Sequence, residues 1–203
     1  MKRSFLLSLA LSFIALSAMA TGNALEILDR AAAKFTSSPS ISAAYNISVS
    51  GNKYSGRISF CGDRFSMTSP QILTWYDGKT QWSYNKEDNE VTVTEPTPDE
   101  LSQINPFVII NSFRSNFTAK SLTAPKGFVK LELKAKDPKN EVQSAVVTLS
   151  EQSLMPTQIQ LVTSSKQQIT IILNSVTTGP AYNIKAFQFY APNYPDVKIV
   201  DLR

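Results

Sequence analysis

The chain contains no histidine and only one cysteine, Cys61, among its 203 residues. Without histidine, the commonest general base and the commonest metal ligand are missing, so Ser-His-Asp and Cys-His catalysis are excluded. One cysteine cannot form an internal disulfide, so the fold must rest on its hydrophobic core. A nucleophile elbow, a glycine-rich phosphate loop and paired carboxylates at a defined spacing are also missing. We therefore predict a protein that is not an enzyme and needs no metal or other cofactor.

Charged residues are few and evenly distributed. They make up 18% of the chain, and the formal net charge is +4. The lysines form no tract, which argues against nucleic acid as a partner. Hydrophobic residues make up 42% of the chain, including 11 Phe, 7 Tyr and 2 Trp. The length of the chain suits one domain with a sizeable core.

The N-terminus has the pattern of an export signal. Lys2 and Arg3 precede an apolar run from Phe5 to Leu16, and Ala18-Met19-Ala20 provides a small-residue cleavage site. The run is too short to span a bilayer permanently, although an N-terminal membrane anchor is the alternative. We expect residues 1–20 to be a cleaved signal peptide and residues 21–203 to form a single domain. Cleavage removes Lys2 and Arg3 and lowers the net charge from +4 to +2. No cysteine follows the site, so we expect no lipid attachment.

Apolar periodicity predicts one helix followed by many strands. Helical spacing of Leu25, Leu28, Ala32 and Phe35 predicts a helix over Gly22–Phe35. Period-2 alternation between turn signals predicts the strands Ile41–Val49, Tyr54–Phe60, Phe65–Met67, Ile72–Tyr76, Gln81–Asn85, Glu90–Glu95, Val129–Ala135, Val142–Leu149, Pro156–Thr163, Gln167–Asn174 and Tyr182–Tyr190, with an edge strand at Val197–Leu202. A sheet of that size must curl or close. We therefore predict a mainly β fold with a few α-helices, in which helices cover the concave apolar side of an incomplete, half-open antiparallel β-barrel.

The middle of the chain interrupts the β pattern. Thr97-Pro98-Asp99-Glu100 combines an N-cap residue, a first-turn proline and a capping-box glutamate, and therefore predicts a short helix. A second helix is predicted over Pro106–Arg114, and it is apolar around most of its circumference. Such a helix must be covered on several sides or must cover something apolar itself. It is therefore either a buried connector or a lid over an apolar cavity.

A curled sheet presents alternate residues of each strand to its interior, which becomes a ligand cavity if the helices close it imperfectly. Each candidate lining residue is otherwise an ordinary core residue. The strand residues that we expect to line such a cavity are Tyr45, Ile47, Ile58, Phe60, Phe65, Met67, Trp82 and Tyr84. The candidates from the second mid-chain helix are Ile109, Ile110 and Phe113.

The segment from Trp75 to Thr94 predicts a hairpin of aromatic strands with Asp77-Gly78 at a two-residue turn, where positive φ is needed. Its spacing, Asp77-Gly78-Lys79 followed by Trp82, Tyr84, Val91 and Val93, resembles the core signature of the LolA-type lipoprotein carriers. Weaker matches follow in the family's order along the chain. They are Ala33-Lys34-Phe35, Gly56-Arg57-Ile58-Ser59-Phe60, Phe65 in an aromatic slot, Pro106-Phe107-Val108-Ile109-Ile110 as a lid helix, and Phe187-Gln188-Phe189-Tyr190-Ala191-Pro192.

The resemblance implies a periplasmic carrier, expected to be a monomer, that shields the acyl chains of lipoproteins. It also implies an inner-membrane releasing complex as donor and an outer-membrane acceptor as partners. An alternative is a binding or envelope-stress sensing module of the same fold that transports nothing. The chain departs from the family at one place, because Gly62-Asp63-Arg64-Phe65 lacks the family's Arg-Pro pair. Either Arg64 serves as the lid latch from a shifted position, or the latch is missing.

Overall fold

The computed structural model describes residues 24–97, 100–101 and 113–203. A helix, α1, spans residues 24–37, and helical stretches cover residues 100–101 and 113–116. The strands β1 to β12 span Ser40–Val49, Asn52–Cys61, Arg64–Thr68, Ile72–Tyr76, Gln81–Asn85, Glu90–Thr94, Phe117–Leu122, Phe128–Ala135, Val142–Ser150, Pro156–Thr163, Gln168–Gly179 and Lys198–Asp201. Two short 3₁₀ helices, Ile184–Phe187 and Ala191–Asn193, lie between β11 and β12.

All of these strands join one sheet in the order β12-β6-β5-β4-β3-β2-β1-β11-β10-β9-β8-β7. Neighbours are antiparallel except β12, which runs parallel to β6. Within the described residues, β12 and β7 form the two edges and do not pair with each other. The sheet is therefore large and unclosed, which confirms the predicted half-open barrel and mainly β fold.

Helix α1 packs on one face of this sheet, which we call the inner face; the opposite one is the outer face. Ala24, Leu28, Ala31 and Phe35 are buried and recur every three or four residues, so they form one stripe along α1. The ring of Phe35 lies 5.2 Å from that of Phe60 on β2. The amphipathic pattern of the helix thus decides which face of the sheet becomes the main core.

The inner face is apolar along β1–β3 and β7–β11. Its strands contribute alternate buried residues to one cluster, among them Ile41, Ala43, Tyr45, Ile58, Phe60, Phe65, Phe117, Ala119, Leu131, Leu133, Ala145, Val147, Ile159, Leu161, Ile171 and Leu173. Phe113, in the helical stretch before β7, belongs to the same cluster. Burial of each large apolar side chain stabilises the fold by about 1.5–3 kcal/mol, so this face supplies most of the driving force.

The segment after β11 covers the outer face of β4 and β5. Phe187 is fully buried, and the rings of Phe189 and Tyr194 lie 5.8 and 5.9 Å from that of Trp75. Gln188 Nε2 donates to Asp77 Oδ2 at 3.2 Å. This second aromatic layer explains why β4 and β5 carry the large aromatic residues Trp75, Trp82 and Tyr84 on the outer face.

Most predicted elements are confirmed, and the differences have physical reasons. Ile72–Tyr76, Gln81–Asn85 and Pro156–Thr163 were predicted with the observed bounds. The predicted strand Tyr182–Tyr190 is wrong, because Asn183 caps a 3₁₀ helix there by accepting a hydrogen bond from Lys185 N. Strand β7 was not predicted.

The predicted turn at Asp77-Gly78 is displaced by one residue. Asp77 N donates to Thr80 O at 3.2 Å, so Gly78 and Lys79 are the central pair, and only Gly78 has a positive φ, of 101°. The Asp77 carboxylate instead accepts hydrogen bonds from Lys79 N and Thr80 N. Burial acts to raise the pKa of Asp77, but these bonds and the one from Gln188 outweigh it and lower the pKa.

The two helices predicted in the middle of the chain fall largely outside the described residues. The capping box is confirmed, since Glu100 Oε2 accepts from Thr97 N and from Thr97 Oγ1, both at 2.8 Å. Of the predicted helix Pro106–Arg114, only residues 113–114 are described, and both are helical.

Candidate functional site

A row of aromatic rings crosses the inner face. Phe35 on α1 meets Phe60, whose ring lies 6.5 Å from that of Phe65, and Phe65 in turn lies 5.3 Å from Tyr76. The register explains the row, because Phe60 pairs with Phe65 and Phe65 pairs with Tyr76 across the antiparallel ladders. Directly paired residues share a face, so the three strands bring their rings together.

Tyr45 also lies on the inner face, beside this row. Its hydroxyl donates to Thr68 O at 3.3 Å, which requires the ring to cross over Gly56 on β2. A Cβ at Gly56 would lie 1.8 Å from Thr68 O and 2.6 Å from the Tyr45 hydroxyl oxygen. Burial raises the pKa of Tyr45, so its hydroxyl stays protonated at neutral pH. Gly56 is therefore needed for the close approach of β3 and the Tyr45 ring.

The inner face is closed at one end and open at the other. Phe65, at the closed end, is only 1% exposed, which leaves no empty space of water size against its ring. Toward the other end of β1 and β3, Ile47 and Met67 are half-buried. Beyond them, at the start of β4, Ile72 is 48% exposed.

Tyr54 is 49% exposed and pairs with Ile47. We call the four residues Ile47, Tyr54, Met67 and Ile72 the apolar mouth. Ile47 and Met67 pack against the core, while Tyr54 and Ile72 are about half exposed on the same face.

The structure thus brings Tyr45, Ile47, Ile58, Phe60, Phe65 and Met67 together on the inner face. It does not bring Trp82 and Tyr84 to the same place. Trp82 pairs with Trp75 and Val93, and the Tyr84 ring lies 4.6 Å from that of Tyr194, so both residues lie on the outer face. They belong to the aromatic layer under the C-terminal segment, and we leave them out of the candidate lining.

Arg64 also lies on the outer face, since Phe65 beside it points inward. Its Nε donates to Asp77 O at 3.2 Å, which ties β3 to the β4–β5 turn. A role as lid latch therefore has no support in this placement.

The ion pair near the mid-chain helix is formed by Arg114 and Asp29 and does not involve Arg64. Arg114 Nε donates to Asp29 Oδ1 at 2.6 Å, and a second bond joins Nη2 to Oδ2. The pair fastens the helical stretch 113–116 to α1. Ile109 and Ile110 lie outside the described residues, while Phe113 is buried in the core.

Sequence reasoning missed one part of the inner face. Where β5 and β6 lie, the apolar residues point outward and the polar ones point inward. The inner residues of β5 and β6 are polar, and together with Thr74 on β4 we call them the polar strip: Gln81, Ser83, Asn85, Glu90, Thr92 and Thr94. The signal was present in the alternation of Gln81-Trp82-Ser83-Tyr84, but alternation does not say which set is internal.

Other sites are sparse in the part of the chain that the structure covers. No group of three or more Cys, Asp or Glu side chains there could hold a metal ion. No helix among those residues is long and apolar enough to cross a membrane. A shallow groove of about 470 Å³ lies on the outer face of β8–β11, between Phe128, Lys130 and Ile172.

The fold and the site define a class of protein, a half-open antiparallel β-barrel with helix packed on an apolar inner face. The chain belongs to the family described as "Outer membrane lipoprotein carrier protein LolA", whose model matches residues 14–165. No curated protein shows significant sequence similarity to it.

Solved structures share the fold at low sequence identity. An uncharacterized conserved protein from Thermus thermophilus is similar at a TM-score of 0.59 and 11% identity, with 87% of this chain and 98% of that one covered. A DUF1329 family protein from Desulfovibrio piger gives a TM-score of 0.51 and 9% identity over 83% and 97%. MucB gives 0.51 and 13% over 84% and 64%. These similarities support the fold alone.

Proposed function

We propose that this protein is a periplasmic carrier that shields the acyl chains of lipoproteins on its inner face and delivers them toward the outer membrane. Residues 1–20 are the cleaved signal peptide in this proposal, and residues 21–203 are the carrier domain. The observation that carries it is the apolar mouth, which joins exposed apolar surface to the core in a member of this family. In this proposal, the protein receives lipoproteins from an inner-membrane releasing complex and passes them to an acceptor at the outer membrane. It acts as a monomer without catalysis.

The energetics are adequate for such a task. Burying one methylene group is worth about 0.8 kcal/mol, so a chain of about 15 methylenes gains about 12 kcal/mol. The close packing around Phe65 means that part of this gain must offset separation of the helical layer from the sheet. The apolar mouth is where a chain would first find apolar surface without any such separation.

The test compares two exposed isoleucines. Ile72 lies on the inner face at the mouth and is 48% exposed, whereas Ile172 lies on the outer face and is 43% exposed. Each is replaced by Asp, and recovery of an acylated client lipoprotein and of its unacylated form is measured with the purified proteins. We expect the wild type to retain only the acylated client and to carry lipid detectable by mass spectrometry.

Ile72→Asp should weaken retention about 10- to 100-fold, because losing burial of one isoleucine costs about 1.5–3 kcal/mol. Ile172→Asp should leave retention unchanged. Equal recovery of acylated and unacylated client by the wild type would contradict the carrier and favour the binding or sensing module. Loss caused by Ile172→Asp alone would move the site to the outer groove.

A further inference from the structure

The polar strip makes the inner face amphipathic rather than uniformly apolar. Phe65 and Tyr76 pair across β3 and β4, and Tyr76 pairs with Gln81 on β5. The aromatic row therefore ends against Gln81, and beyond it the inner residues of β5 and β6 are polar. An acyl chain along the row would meet its first polar side chain at this point.

Gln81 is buried with an unsatisfied group. The residue is 8% exposed, and its Nε2 donates to Ser83 Oγ at 3.3 Å. Among the residues that the structure describes, its Oε1 has no hydrogen-bond partner, and the atom is out of contact with solvent. A buried acceptor without a donor carries an unrecovered desolvation cost, and such groups in native proteins call for an explanation. A ligand that brings a hydrogen-bond donor to Gln81 Oε1 would explain why this acceptor has no partner among the described residues.

The chemistry of the missing partner follows from the atom that lacks it. A carbonyl oxygen accepts hydrogen bonds, so the ligand group must be an N–H or O–H donor. An amide linking an acyl chain to the rest of a molecule carries an N–H next to the first methylenes. An ester linkage has only acceptors, and an ionised fatty acid would place a carboxylate against the Gln81 oxygen.

We propose that Gln81 recognises acyl chains attached through an amide, by accepting the amide N–H at the end of the aromatic row. The inference rests on the proposed function, because it assumes that acyl chains occupy the inner face. The inference adds that amide-linked acyl chains bind more tightly than ester-linked chains of equal length.

Three probes of equal heavy-atom number test the preference, namely N-methyldecanamide, methyl decanoate and tridecane. Each displaces an apolar fluorescent dye from the purified protein in a titration. We expect the wild type to bind the amide about 2- to 12-fold more tightly than the ester, the range of one net hydrogen bond. Gln81→Leu should abolish that ratio while tridecane binds at least as well as before.

Two further variants keep the result interpretable. Gln160→Leu makes the same change at an exposed position on β10 and should leave the ratio intact. Gln81→Met repeats the loss of the amide with a flexible side chain, in case Leu packs poorly. Urea unfolding of each variant checks that the fold survives, and Gln81→Leu should be no less stable than the wild type.

The outcomes separate the two proposals. If no probe displaces the dye, both the proposed function and this inference fail. If tridecane and the ester bind as well as the amide, or if Gln81→Leu keeps the amide preference, the role of Gln81 is refuted while an apolar site remains. A preference lost equally in Gln160→Leu would also refute it.

Discussion

Replacing Phe65 by Ala tests whether the closed end of the inner face is a packed core. The Phe65 side chain is 1% exposed and lies between the rings of Phe60 and Tyr76, at 6.5 and 5.3 Å. Truncating a phenylalanine in such surroundings costs about 3–5 kcal/mol, because the transfer free energy is lost and the neighbours do not fill the space. For a domain of this size, that loss lowers Tm by roughly 6–20 °C.

The measurement is urea unfolding followed by fluorescence, with Phe65→Leu as a matched variant. Leu keeps most of the buried volume and loses the two ring contacts, each worth about 0.5–1.5 kcal/mol, so its loss should lie near 1–3 kcal/mol. A loss below about 1 kcal/mol for Phe65→Ala would show that Phe65 faces unfilled space. The closed end would then be the ligand cavity itself, and our account of the packing would be wrong.

Two other predictions concern the backbone and an ion pair. Gly56→Ala should cost more than about 2 kcal/mol in urea unfolding, since its Cβ would meet the Thr68 carbonyl at 1.8 Å; near-wild-type stability would refute that close approach. Pairing with Arg114 lowers the pKa of Asp29 in the folded protein. The stability that the pair contributes is therefore present above the pKa of Asp29 in the unfolded chain, and it is lost as the pH falls through the pKa in the folded protein. As the pH drops below about 4, the free energy of unfolding of Asp29→Asn should therefore fall less than that of the wild type. NMR titration should place the Asp29 pKa below 3.8 in the wild type. If the stabilities of the two proteins changed in parallel with pH, this would contradict the prediction.

The sequence was most informative where one face of a strand is covered. Strands β1, β2 and β8–β10 each show a single alternating apolar set, and that set does lie on the inner face. Strands β4 and β5 have layers on both sides, so alternation predicted the strands well but could not say that Trp82 and Tyr84 point outward. The polar strip was missed for the same reason.

The errors near the C-terminus have a different origin. Tyr182, Ile184 and Ala186 alternate with Asn183 and Lys185 much as in a strand, yet Ile184–Phe187 folds into a 3₁₀ helix. Its Phe187 is buried against the outer face by packing that comes from β3 and β4, far away in the sequence. Local pattern could not predict that contact, whereas the capping signal at Asn183 was available. Strand β7 was missed because Thr118, Lys120 and Ser121 leave it few apolar positions.

The parallel pairing of β12 with β6 has a consequence for the order of folding. The Lys198–Glu90 ion pair, at 2.6 Å, joins residues 108 positions apart, and no other strand neighbour shields that edge of β6 among the described residues. During synthesis from the N-terminus, β1 to β6 are complete long before β12 emerges. Until then, the free edge of β6 and the outer rings of β4 and β5 stay exposed together, a combination that promotes strand-to-strand aggregation. During that interval, the nascent chain is itself a candidate client of a chaperone.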